Sequence, residues 1–279
     1  MKTVALVTAL VEDTFRESFA RKIFWGFLGC STALILFFTL ALHIDLMEGA
    51  TAAVSLFGQQ VHGGRLMDLQ LVVRRILGGV AAFLFSAGLF LSVFAAAGLI
   101  PTVFEPGRIE LLLSKPLSRA CLLAGRYLGT LAVIACNMFY LVLGVWLVLG
   151  WKTSIWDASF LLAAALAIFA FAVILAVVLL VAVLSNSAVL ATMVAYFFII
   201  MSPLLAQHKR IGPLFNRQWA RDLSEWLYYL FPKVFDMGNM SRLAMEGKGF
   251  ESWMPLWSSA LFAAVMLWAG LWVFAKKDY

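Results

Sequence analysis

Charge is scarce in this sequence. Only 13% of its 279 residues are Asp, Glu, Lys or Arg, while 63% are hydrophobic and the mean hydropathy is +0.95. A soluble domain carries roughly 25% charged residues and about 45–50% apolar ones. An apolar surplus of this size has no place on a water-facing surface, so an ordinary soluble enzyme and a disordered chain are both excluded. Cysteine is scarce as well: Cys30, Cys121 and Cys136 show no CxxC spacing, which excludes a disulfide framework. Two of them lie in apolar runs, where a thiol behaves as a small hydrophobe. No GxxxxGK[ST] string occurs, so the chain lacks the loop that cradles nucleotide phosphates, and HExxH is missing too. The long apolar runs hold no Asp, Glu, Lys, Arg or His. Ion-coupled carriers and aspartyl intramembrane proteases need ionisable groups at membrane depth. Energy for any active transport must therefore come from a partner.

What is present is grease in long stretches. Crossing about 30 Å of hydrocarbon takes roughly 20 apolar residues. Uncharged runs cover 23–42, 76–104, 127–151, 158–206 and 252–275, and the fourth is long enough for two spans. Its natural break is Ser185-Asn186-Ser187, giving spans at 158–184 and 188–206. The expected fold class is all-α: a polytopic membrane protein, one transmembrane domain of six helices, with both termini on one side. Fourteen per cent aromatic residues, ten of them Trp, suit interfacial anchoring. The excess of 21 Lys and Arg over 15 Asp and Glu lies beside apolar runs, which points to lipid head groups and not to nucleic acid. Basic residues are slightly denser on the side holding 1–22, 105–126, 185–187 and 276–279, a mild preference for cytoplasmic termini.

Three polar segments flank the spans. Residues 1–22 lack an apolar core with a small-residue cleavage site, so a signal peptide is not expected. Val7, Leu10, Val11, Thr14, Phe15, Ser18 and Phe19 recur at helical spacing, with Glu12, Asp13, Arg16 and Glu17 off that face. That pattern predicts an amphipathic interfacial helix, whose face a soluble partner could also use. Residues 43–75 form an extracytoplasmic loop. Residues 207–251 form another, carrying an apolar stripe of Phe215, Trp219, Leu223, Trp226, Leu227 and Leu230 opposite Arg217, Arg221 and Glu225. The stripe predicts a second interfacial helix anchored by its Trp residues.

The most informative string lies between spans two and three: Glu105-Pro106-Gly107-Arg108-Ile109-Glu110-Leu111-Leu112-Leu113-Ser114-Lys115-Pro116-Leu117-Ser118-Arg119, then Gly125-Arg126-Tyr127-Leu128-Gly129. Pro106-Gly107 breaks the preceding helix, residues 109–113 favour a short one, and Pro116 stops it. Ser118 can cap the next helix, with Arg119 and Arg126 near the head groups. The segment reads either as a surface connector or as a ledge that a soluble protein pushes, moving two spans together.

This string closely resembles the coupling segment of ABC-2-type transporter permeases, where an acidic residue, a Gly, an acidic-Leu-Leu-Leu-Ser-basic-Pro run and a Ser-Arg pair precede Gly-basic-Tyr-Leu-Gly. The rest of the chain is similar to such permeases in its amphipathic N-terminal helix, six spans, long final loop and Lys276-Lys277-Asp278-Tyr279 end. It looks closest to the branch with permeases for multicopper-enzyme maturation, such as the nitrous-oxide-reductase accessory system. The resemblance implies a homo- or heterodimeric transmembrane subunit in the inner (cytoplasmic) membrane, docked to two ATP-binding-cassette subunits. It would have no catalytic residue, metal or cofactor of its own, ATP and Mg residing on the partner. It also implies that Glu105, Gly107, Arg108, Glu110, Leu113, Ser114, Lys115, Pro116, Ser118 and Arg119 grip the ATPase. The turn at 185–187 carries no charge, whereas relatives often have a basic residue there.

Other features are weaker. Gly125-x-x-x-Gly129 and the row Gly88, Ser92, Ala96 allow helices to approach closely, most simply within one subunit. Asn137 is the carboxamide well inside a span and is expected to bond a neighbouring helix. His43, His62 and His208 with Met237, Met240 and Met245 are soft-ligand types that suit Cu(I), but they are scattered, and packing is the default for Met. The competing class is a passive membrane scaffold that recruits soluble partners through the same surface segment, working without nucleotide.

Overall fold

A computed structural model describes the chain apart from residues 1, 21, 46–52, 57–58, 61–68, 97–98, 101–117, 154–155, 209–217, 251 and 278–279. Its helices are α1 (Lys2–Ala20), α2 (Ile23–Ala41), α3 (Leu69–Ala96), α4 (Arg119–Thr153), α5 (Ser159–Ser185), α6 (Ala188–Ala206), α7 (Gln218–Leu230), α8 (Val234–Met245) and α9 (Met254–Lys276). Within the first loop, β1 (Leu42–Asp45), β2 (Ala53–Leu56) and β3 (Gln59–Gln60) form a small antiparallel sheet in that order. Elsewhere the described fold is helical.

Five helices are long and apolar enough to cross a membrane: α3 from Arg74, α4, α5, α6 and α9. The pair α1–α2, whose parts meet at 71°, satisfies the same length and composition criteria if taken as one broken span, which brings the count to six. The bend falls at Lys22, which takes a left-handed backbone with φ 59°. The architecture is that of a polytopic helical membrane protein.

At the centre stands α5. Its sequence is apolar on every side, and a helix without a polar face belongs in a core. It packs against α3, α4, α6, α8 and α9, burying Phe160, Phe171, Ile174, Leu175 and Leu179 among others. The break after it follows from the polar triplet. Asn186 adopts φ 51°, a conformation that caps helices and that Asn tolerates. Ser187 then caps α6 by accepting a bond from the Leu190 amide at 3.4 Å.

The two ends of the bundle are tied separately. At one, Arg119 at the start of α4 donates to the Lys277 carbonyl. The Lys277 ammonium donates to the Val183 carbonyl at 2.7 Å and to Asn186 Oδ1 at 3.0 Å. The start of α4, the α5–α6 turn and the end of α9 therefore share one face. At the opposite end, Lys152 donates to the Thr39 carbonyl, and Trp146 packs edge-on to Trp156 while donating to the Asp157 carbonyl at 3.0 Å.

Candidate coupling site

Residues Glu105, Gly107, Arg108, Glu110, Leu113, Ser114, Lys115 and Pro116 lie outside the described residues. The structure begins again at Ser118, and what it shows is how the end of that segment is seated. Ser118 Oγ accepts from the Cys121 amide at 3.2 Å, capping α4. The helix then runs from Arg119, two turns before the uncharged run that marks the span. At 35 residues it is about 52 Å long, well over the hydrocarbon thickness, so its ends project beyond it.

One projecting end is sheathed by α1. A Cβ on Gly125 would stand 2.7 Å from Leu10 Cδ1, and one on Gly129 would stand 2.6 Å from Thr14 Oγ1. Both are closer than carbon contacts allow, so the two glycines are the seat of α1, and the GxxxG motif works within the subunit. Leu10, Thr14 and Ser18, spaced four apart, are all buried. Thr14 also donates to its own Leu10 carbonyl at 2.8 Å.

Between those glycines sits Arg126. Expected near the head groups, it is turned into the protein, with 1% of it exposed. Its Nη1 donates to Glu17 Oε2 at 2.5 Å and its Nη2 to Asp13 Oδ2 at 3.4 Å. Glu17, assigned by periodicity to the polar face of α1, has a side chain only 10% exposed. The reason is physical: a guanidinium taken out of water needs a carboxylate beside it, and one edge of the polar face of α1 supplies it. Asp13 stays largely exposed and completes the ring of charge from outside. The pairing spans 109 residues, so no local pattern could have announced it.

Beyond Arg126, α4 carries a buried polar row. Thr130 and Asn137 are buried, and among the described residues the Asn137 carboxamide has no hydrogen-bond partner on either atom. The interhelical bond expected of it is therefore not seen. In α3, the small row does allow close packing: Gly88 admits Met138, and Ser92 and Ala96 are fully buried.

The opposite end holds groups that periodicity missed. The expected interfacial helix is present as α7, with Trp219, Leu223, Trp226 and Leu230 exposed away from the bundle. After it the chain turns back and α8 enters the bundle, packing on α3, α5 and α6. Met237 and Met245 are fully buried there, and Met240 nearly so, as core residues. Lys233 at the turn is 2% exposed, its ammonium donating to Ser258 Oγ at 2.9 Å and lying 4.8 Å from the Tyr228 ring centre. Tyr228 donates to Asp236 Oδ2 at 2.9 Å and stacks on His208. Burial pushes the Asp236 carboxyl above its ordinary range despite the bond from Tyr228 and the nearby Lys233 and His208. The Lys233 ammonium is lowered, again chiefly by burial. Burial and the Asp236 charge raise the Tyr228 phenol. Beside α8, a cavity of about 570 Å³ opens between α3, α6 and α8.

A transmembrane bundle whose third span projects past the membrane, sheathed by an amphipathic N-terminal helix, is what the chain builds from end to end. A family model described as ABC-2 family transporter protein matches residues 8–279. The chain belongs to the ABC-2 transporter family. Comparison with curated proteins gives no match. ABC-2 permeases are transmembrane subunits that work with an ATP-binding subunit, so this chain is an integral membrane component of an ABC transporter. The start of α4 is thus tied to α1 through Arg126 and Glu17 and to the end of α9 through Arg119.

Proposed function

We propose that the chain is the permease subunit through which two ATP-binding-cassette subunits drive a cargo across the cytoplasmic membrane, with both termini cytoplasmic. Residues Glu105–Arg119 are gripped by the ATPase, Glu110 and Arg119 carrying the charged contacts. ATP and Mg are held by that partner. A second permease copy, identical or related, completes the transporter. The branch with multicopper-enzyme-maturation permeases is the nearest reading of the Glu105–Gly129 string.

One observation carries this reading. The coupling-type string ends on a helix whose first turns are held from both sides, by α1 through Gly125, Arg126 and Gly129, and by Lys277 through Arg119. A mere connector between two spans needs no such clamp. When ATP closes the partner, the string moves, and spans one and three follow as one body because interiors packed to this density transmit strain.

The test is purification of the full chain from its own membrane, with ATP hydrolysis measured in the eluate. Wild-type chain is expected to bring down a Walker-A-bearing subunit with ATPase activity, and the variant Glu110→Ala/Arg119→Ala to lose most of both while its α-helical signal is unchanged. A chain that works at full rate after complete removal of nucleotide would instead make it a passive scaffold.

A further inference from the structure

The cavity beside α8 combines two features that point to one chemistry. Its walls are apolar: Phe85 and Leu89 from α3, Ile200 and Pro203 from α6, and Phe235 from α8. It is open on one side, and two of its walls, α3 and α6, are helices long and apolar enough to cross a membrane. At its mouth the character changes. Arg242 lines the cavity and holds Asn239 Oδ1 through Nη2 at 2.9 Å.

Helices α8 and α3 run side by side there. The Arg242 carbonyl lies 3.2 Å from where a Cβ on Gly78 would stand, and Arg74 Nη1 lies 2.7 Å from the Cβ position of Gly247. Lys248 donates to Glu246 Oε2 at 2.7 Å, and Arg242 Nη1 stands 3.5 Å from Glu246 Oε1. That carboxylate is held below its ordinary range first by the Lys248 bond, with Arg242 and Arg75 adding to it. Among the described residues, four cations thus gather at the end of α8 around one carboxylate. The negative end of a helix dipole favours a cation there, but four are far more than one helix end calls for.

We infer that this groove is a binding site for one anionic phospholipid, with an acyl chain between α3, α6 and α8 and the phosphate on Arg242, Arg74 and Arg75. Apolar walls open to the bilayer suit a hydrocarbon chain. Guanidinium groups present forked donors that match phosphate oxygens. Arg74 and Arg75 stand about two turns before Ala82, where the apolar lining on α3 begins, and Arg242 lines the cavity itself, so head and tail meet their complements in the order a lipid presents them. The site does not depend on the ATP-driven reading, because it is a property of one subunit at the end of the bundle away from Arg119.

Native mass spectrometry of the full chain in detergent tests it, with phosphatidylglycerol and phosphatidylcholine of matched chains as probes. Wild-type protein should retain one phosphatidylglycerol with about a tenfold preference. Arg74→Gln/Arg242→Gln should bring the two lipids to equal retention. Ser86→Phe, which fills the groove from its open side and leaves every cation in place, should lower retention of both. Glycerol 3-phosphate should fail to compete, separating a lipid from a free phosphate ligand. Equal retention of the two lipids by the wild type would overturn the site. So would an unaltered preference in Arg74→Gln/Arg242→Gln, unaltered retention in Ser86→Phe, or disulfide cross-linking of two copies through Ile200→Cys in native membranes, which would put a second subunit in the groove.

Discussion

The two ends of this bundle are closed by different means. Where α1 meets α4, the backbones approach until no Cβ fits at Gly125 or Gly129, and the one buried cation is matched by Glu17. Where α7 and α8 meet the end of α6 and the start of α9, Lys233, Tyr228, Asp236 and His208 make polar contacts, with a cavity alongside, although α8 itself closes on α3 at Gly78 and Gly238. Small residues in close contact leave nothing to rearrange, so the first end moves as a unit. Hydrogen-bonded titratable groups can exchange partners, and a cavity lies between α3, α6 and α8 nearby, so the second end is expected to be the more compliant. A transporter needs both: a stiff end to receive force and a compliant end to open.

The strongest way to break that contrast is at Arg126. Arg126→Met leaves the Glu17 carboxylate buried without its cation and is expected to lower stability by about 3–5 kcal/mol. The measurement is thermal unfolding in detergent, with Glu17→Leu/Arg126→Met recovering most of the loss. A single variant as stable as the wild type would mean that the α1–α4 junction is no tighter than the α7–α8 end. Gly129→Leu comes next. Overpacking against Thr14 should cost about 1–3 kcal/mol and free α1 for proteolysis before α4 unfolds. Protection of α1 in that variant would show that the seat yields.

The α7–α8 end gives the smallest effect and sharpens the contrast through pH. Because the folded protein holds the Asp236 carboxyl above its ordinary range, it binds the extra proton in the window between the ordinary and the raised value. Stability contributed by that proton is present below the window and is lost as pH rises through it. Asp236→Asn, which keeps an acceptor for Tyr228, should flatten this slope without altering the α1–α4 junction. An unchanged slope would place the titration elsewhere.

The membrane class, the apolar runs and the break at 185–187 were legible because hydrocarbon thickness and turn chemistry act locally. So was the close approach at Gly125 and Gly129, although its partner, α1, was not. Glu17 was misplaced for the same reason: periodicity assigns a face to a helix but does not say what covers it. The entry of α8 into the bundle escaped notice because its twelve residues are too few to span and include Asp236, Asn239 and Arg242. Asp236 is met by Tyr228 across the turn, while Asn239 and Arg242 bond each other along α8. Counting uncharged residues also started span three at Tyr127, because Arg119 and Arg126 stopped the count. The helix continues through both because Lys277 and Glu17 meet them.

The unbroken length of α4 has a mechanical corollary. No proline interrupts its 35 residues, and both surfaces of the membrane are reached by the same rod. If it rocks about its middle, a push at Arg119 in one direction swings Lys152 in the other, so the far surface receives the stroke inverted and at once, with no chain of side-chain rearrangements between them.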